Sequence, residues 1–161
     1  MRVAIHPDQY QDQSYSQRWF EALRLKGVQV DTIDLLGPNA LENACRYDGV
    51  MWRWVHNPQE KQSAQRILYT LEEVLHIPVF PDFPSSWHYD EKIAEYYLLK
   101  ALGAPLPETW LFWRENQAID WTIRAQYPLV FKLSSGAGSA NVIRVNDPQE
   151  SVHLIHKMFN G

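Results

Sequence analysis

The sequence predicts an α/β protein in two parts. A small parallel sheet with helices over its faces comes first, then an α+β portion with its own antiparallel sheet. Three observations carry this. Up to residue 84, short β-favouring runs alternate with helix-patterned segments, in the order strand, helix, strand, helix, strand, helix, strand. Beyond Pro84 the pattern changes to helices around two β-branched runs joined by a glycine-containing loop. Hydrophobic residues make up 45% and charged residues 21% of the 161, which is globular composition. The 7 Trp, 8 Tyr and 6 Phe are available to fill a core or line a pocket.

Val3-Ala4-Ile5 opens the chain as a strand, and the polar stretch after it is a loop. Trp19, Phe20 and Leu23 fall at helical spacing between Ser16 and Lys26, and Gly27 stops that helix. Val28, Val30, Thr32 and Ile33 favour a second strand. A short polar helix follows Gly37-Pro38, and Tyr47 to Trp52 form a third strand. Pro58 opens a helix with one apolar stripe: Ala64, Ile67, Leu68, Leu71, Val74 and Leu75. Ile77 to Pro81 is a short fourth strand. The domain boundary is placed near residue 84, with residues 85–107 as a connecting helix and proline turn. In that helix, Asp90 to Leu102, the residues Ile93, Ala94, Tyr97, Leu98, Ala101 and Leu102 share one side. Gly103, Pro105 and Pro107 end it. Thr109 to Trp113 is a strand candidate and Ala118 to Ala125 a short helix. Leu129–Leu133 and Val142–Val145 are strands, and Pro148 starts a last helix carrying Val152, Ile155 and Phe159. The second domain is thus 108–161.

Several function classes are excluded or disfavoured at this level. The formal net charge of −4 lacks the basic footprint of a nucleic-acid binder. Cys45 is the only cysteine, so neither an intrachain disulfide nor a cysteine-rich zinc site can form. No stretch approaches the ~18 apolar residues of a membrane span, and the N-terminus turns polar at once, unlike a signal peptide. A cytoplasmic protein is the expectation.

The chemistry concentrates between Lys132 and Val145. Ser134, Ser135, Gly136, Ala137, Gly138, Ser139, Ala140 and Asn141 join two strands with little side-chain bulk. Such a loop exposes backbone N–H groups that can fold over phosphates. It is not a Walker loop, because Ser139-Ala140 follow Gly138 where Lys-Ser/Thr would be needed. It is not a dinucleotide fingerprint either, because β-branched Val142-Ile143 follow where a helix is required. A flexible hairpin tip with no ligand is the alternative. Lys132, among apolar neighbours at the head of the loop, can meet phosphate as a point charge. Its other explanation is a strand-edge charge that discourages aggregation. Lys92 lies in the first turn of its helix, an unfavourable place for a cation, and local rule-breaking is expected at functional sites. Pairing with Glu91 or Glu95 in solvent would also explain it.

Asp90-Glu91-Lys92, Leu98-Leu99-Lys100-Ala101-Leu102-Gly103-Ala104-Pro105-Leu106-Pro107-Glu108-Thr109, and Tyr127-Pro128-Leu129-Val130-Phe131-Lys132 with the glycine loop together resemble the ordered motifs of the ATP-grasp superfamily. The preceding segment, with Asp48 to Arg53, looks like the domain before it in the glutathione synthetase and glutamate ligase branch. The resemblance implies a Rossmann-like pre-ATP-grasp domain and a first ATP-grasp subdomain with antiparallel sheet. It implies that Lys92 and Lys132 bind ATP phosphates and that the loop closes over them. It further implies an ATP-dependent carboxylate–amine or carboxylate–thiol ligase acting through an acylphosphate, with Mg²⁺. The second subdomain, with the magnesium ligands, would follow Gly161. The 161-residue stretch alone, as a truncated part of a longer protein, would then be inactive. Glu91 splits the family's Asp-Lys pair, a departure from the pattern.

His6 and Asp8 follow the first strand, and Arg53 and His56 the third, where parallel sheets build ligand sites. They are candidates for a small acidic substrate or peptide, although loop polarity alone would also explain them. His153 and His156 lie three apart on a helix without the further ligands a metal needs, so no metal site is assigned. Homodimerisation is left open. Two rival readings stand beside the ligase: a non-catalytic nucleotide-binding or interaction module, and an α/β domain that binds an anion or a sugar nucleotide.

Overall fold

The chain opens into the centre of a sheet. In the computed structural model, which describes residues 1–8, 14–55, 58–134 and 142–160, β1 (Arg2–His6) pairs in parallel with β2 (Gln29–Thr32) on one side. On the other side it pairs with β3 (Gly49–Trp52), which carries β4 (Val79–Phe80). The order β2-β1-β3-β4 has its crossovers in α1 (Tyr15–Leu25), α2 (Ala40–Ala44) and α3 (Pro58–Tyr69). Alternation along β1 sends Val3 and Ile5 to one face and Ala4 and His6 to the other. Val3, Ile5 and Val30 pack with Trp19, Phe20 and Leu23 of α1. The opposite face buries Ala4, Val50, Trp52 and Val79 with Leu35, Ala64, Leu68 and Leu71. This is the predicted parallel sheet with helices on both sides.

Local chemistry sets the helix ends. Ser14 caps α1 by accepting from the Gln17 N–H at 3.0 Å. Gly27 ends it at φ +74, a conformation suited to glycine. The stripe predicted on α3 continues only as far as Leu71. From Thr70 to Val74 the helix widens into a π turn, and Leu75 N–H reaches back to the Thr70 carbonyl. The wider turn breaks the helical spacing, and Val74 and Leu75 are exposed. A short helix, α4 (Phe83–Ser86), capped by Asp82, was not foreseen.

The chain divides into two compact units, Met1–Trp87 and His88–Gly161. In the second, α5 (Lys92–Ala101), α6 (Glu115–Thr122) and α7 (Pro148–Asn160) accompany β5 (Leu129–Lys132) and β6 (Val142–Val145). The two strands pair antiparallel as a separate sheet, with Leu129 opposite Val145 and Lys132 opposite Val142. One expectation is corrected here. Residues 109–113 form no strand; Trp110 and Phe112 instead lie against Trp121, with ring centroids 4.6 and 5.4 Å away. Aromatic contact with α6 takes the place of ladder pairing. The apolar side of α5 contains no buried residue, and Leu102 just beyond it is 72% exposed. Buried residues of this unit, among those described, are Ala118, Thr122, Val145, Ser151 and Ile155.

Candidate functional site

β5 brings Lys132 to the last position before the loop, and α5 starts beside it. The Lys92 N–H donates to the Ser134 carbonyl at 2.9 Å. One main-chain bond therefore joins the segments of both predicted lysines and the first loop residue. Helix α5 begins at Lys92 rather than Asp90, because Asp90 has φ +56 and Glu91 is extended. The Glu91 carboxylate accepts from the Ile93 N–H at 3.2 Å. The residue that splits Asp90 from Lys92 thus acts as helix cap, and its negative charge offsets the lysine at the positive helix end.

Antiparallel pairing puts directly opposed residues on one face. Val130, Lys132, Val142 and Arg144 therefore share a face of the β5–β6 ribbon, and all four are exposed. Val130 is 57% and Val142 36% exposed. Leu129, Phe131, Ile143 and Val145 occupy the other face, with Val145 buried. Sequence reasoning missed Arg144. Counting alternate positions outward from the loop on both strands would have found it. The expectations for Ser135, Gly136, Ala137, Gly138, Ser139 and for His56 lie outside the described residues.

In the first unit, His6 and Trp52 are register partners at the carboxyl ends of β1 and β3. The sheet order reverses direction between these strands, a common location for ligand crevices. Their rings meet edge to face at 4.8 Å. His6 Nδ1 accepts from the Leu35 N–H at 3.1 Å and lies 3.3 Å from the Ile33 carbonyl. The neutral ring satisfies the first contact, and an imidazolium would trade it for the second. Burial lowers the His6 pKa below its ordinary value of 6.5, against opposing pulls from the Ile33 carbonyl, Asp34 and Glu60. Asp8 works locally: its Oδ2 accepts from the N–H groups of Tyr15 and Ser16 at 2.8 and 3.0 Å, at the start of α1. The Arg53 guanidinium lies over the Tyr15 ring at 4.3 Å. Trp52, fully buried, has an indole N–H without an acceptor among the described residues.

His156 Nδ1 meets Glu115 at 2.7 Å, joining α7 to α6, and Asn160 donates to the same carboxylate at 2.9 Å. Among the described residues no group of three His, Cys, Asp or Glu side chains is placed to hold a metal ion. No helix among them is long and apolar enough to cross a membrane.

No family model matches the chain, and no curated protein matches it. Among solved structures it is similar to a RimK domain protein, ATP-grasp, from Sphaerobacter thermophilus DSM 20745, at TM-score 0.65 and 17% sequence identity. The match covers 99% of this chain and 60% of that one, so the chain spans somewhat more than half of the solved protein's length. The parallel sheet followed by a separate antiparallel ribbon is an ATP-grasp-like fold.

Proposed function

We propose that the chain supplies the nucleotide-phosphate side of an ATP-dependent ligase, in the manner of the glutathione synthetase and glutamate ligase branch. The observation that carries this is the Lys92 N–H to Ser134 carbonyl bond on an ATP-grasp-like fold. It places a lysine-bearing helix start beside the strand that presents Lys132 and leads into the glycine loop. Lys92, Lys132 and the loop amides would hold the triphosphate, neutralising charge and excluding water as the loop closes. In the reaction a substrate carboxylate oxygen attacks the γ-phosphorus. The bond to the β-phosphate oxygen breaks, and ADP leaves. An amine or thiol then attacks the acyl carbon of the acylphosphate, phosphate departs, and the nucleophile loses its proton. Mg²⁺, when bound, would neutralise phosphate charge, and no group of three described His, Cys, Asp or Glu side chains is placed to hold it alone. Arg53 and His6, at the carboxyl ends of the parallel strands, are the proposed contacts for the acidic substrate.

Calorimetric titration of ATP into the purified chain tests the reading. Weak binding is expected, because an open face buries little ligand surface. Lys132→Ala should reduce it at least about tenfold, the loss expected for one charge-assisted contact, with the melting temperature unchanged. ATP affinity indifferent to Lys132→Ala would sink the assignment. The second reading is a nucleotide-binding module without catalysis, since the Lys92 N–H to Ser134 carbonyl bond brings phosphate-contact segments together without supplying a reacting group. Phosphate release from ATP by the chain would exclude it.

A further inference from the structure

Two cations on one face of a two-stranded ribbon oppose the usual economy of a sheet. Register places Arg144 opposite Val130 and Lys132 opposite Val142, so the two charges are diagonal neighbours on the same exposed face. Diagonal neighbours in such a ribbon lie roughly 7–8 Å apart, within reach of long side chains. The side chain of neither Lys132 nor Arg144 has a hydrogen bond or an ion pair with a described residue. Each of the two faces a valine across the ladder rather than a carboxylate. Like charges so placed repel, and no acidic side chain on either strand compensates them. An anion between them would turn this repulsion into attraction.

We infer that Arg144 is a second anion contact, and that Lys132 and Arg144 together clamp one polyphosphate against the β5–β6 face. This deepens the nucleotide reading given above and rests on it for the identity of the polyphosphate. The guanidinium supplies a planar fork of donors matched to phosphate oxygens, whereas the lysine supplies a point charge. Exposed Val130 and Val142 sit beside the cations and keep the face free of competing acceptors. A solvated strand charge would need no such pairing with Lys132.

The experiment compares the full chain with Lys132→Ala, Arg144→Gln and the double variant, using inorganic tripolyphosphate, ATP and adenosine as separate probes in calorimetry. Circular dichroism melts check that every variant folds; the two positions are exposed and should tolerate substitution. Each single variant should weaken tripolyphosphate and ATP at least about tenfold, and adenosine should be unaffected. The wild-type affinity should fall more steeply with salt than that of either variant. Arg144→Lys should restore only part of the affinity, because the fork is lost. ATP affinity that depends on Lys132 but not on Arg144 overturns the clamp and leaves the nucleotide reading standing. Tripolyphosphate binding that needs both residues, with no gain for ATP, supports the clamp and removes the nucleotide reading. Adenosine weakened as much as ATP by Arg144→Gln would make Arg144 a base contact and overturn the clamp. No binding of tripolyphosphate or ATP to the wild type overturns both.

Discussion

Lys92 has two separable parts, an ammonium and an amide, and the amide is the part the structure shows at work. Its N–H holds Ser134, and as the first residue of α5 it has no partner to satisfy within the helix. Proline fits that position: the first helical turn accepts it, and Glu91 before it is already extended, at φ −130 and ψ 93. Lys92→Pro therefore removes the bond to Ser134 without breaking the helix, and Lys92→Ala removes only the ammonium. The proline variant should lose more ATP affinity than the alanine variant, at similar helix content by circular dichroism. Equal losses would show that the main-chain bond contributes nothing. His6 gives a second expectation. Its folded-state pKa lies below the 6.5 of an exposed ring because burial disfavours the charged form. As pH falls through 6.5, the unfolded chain takes up the proton more readily than the folded one. Stability is therefore full above that pH and declines below it. Urea unfolding from pH 7.5 to 5 should show this slope, and His6→Gln should reduce it. An unchanged slope in the variant would assign the effect to other groups.

Helices and strands differ in how much of their fate lies in their own sequence. The four parallel strands and the helices between them were legible, because period, caps and breakers agreed over most of the stretch from β1 to β4. Gly27 is one such breaker: at φ +74 with no atom within 4 Å of a built Cβ, Gly27→Ala meets only backbone strain. It should cost about 1 kcal/mol, measurable as a lowered melting temperature; no change would mean the turn relaxes freely. β5 and β6 were legible from their β-branched residues, and with them the position of Lys132 at the end of β5. Residues 109–113 were not, because their alternating Trp110 and Phe112 suit a strand and an aromatic cluster equally well. Only Trp121, which they meet, decides between them. The fate of Val74 and Leu75 was also hidden, since a π turn leaves no mark in apolar spacing. The Asp8 carboxylate looked like chemistry and accepts from the first N–H groups of α1, which spacing alone does not separate. Arg144 escaped notice because its significance depends on cross-strand register.

The two units differ in what holds them. The first buries both faces of a sheet, including Trp52, Leu68 and Leu71, each fully covered. The second has few buried residues among those described, and α5 has none. Local opening follows the density of buried apolar contact. Amide hydrogen exchange should therefore be slowest in β1 and β3 and faster along α5 by at least about tenfold, read by mass spectrometry on the full chain. Equal protection would show that α5 is held by something other than its apolar side. The sheet of the first unit also limits what can pair along its β4 border. Its β4 border is two residues long, Val79–Phe80, with Pro78 and Pro81 on either side. Prolines carry no amide hydrogen, so this margin offers few donors to an incoming strand. Continuous strand-to-strand polymerisation across β4 is therefore disfavoured, and fibril growth by that route finds only a short template.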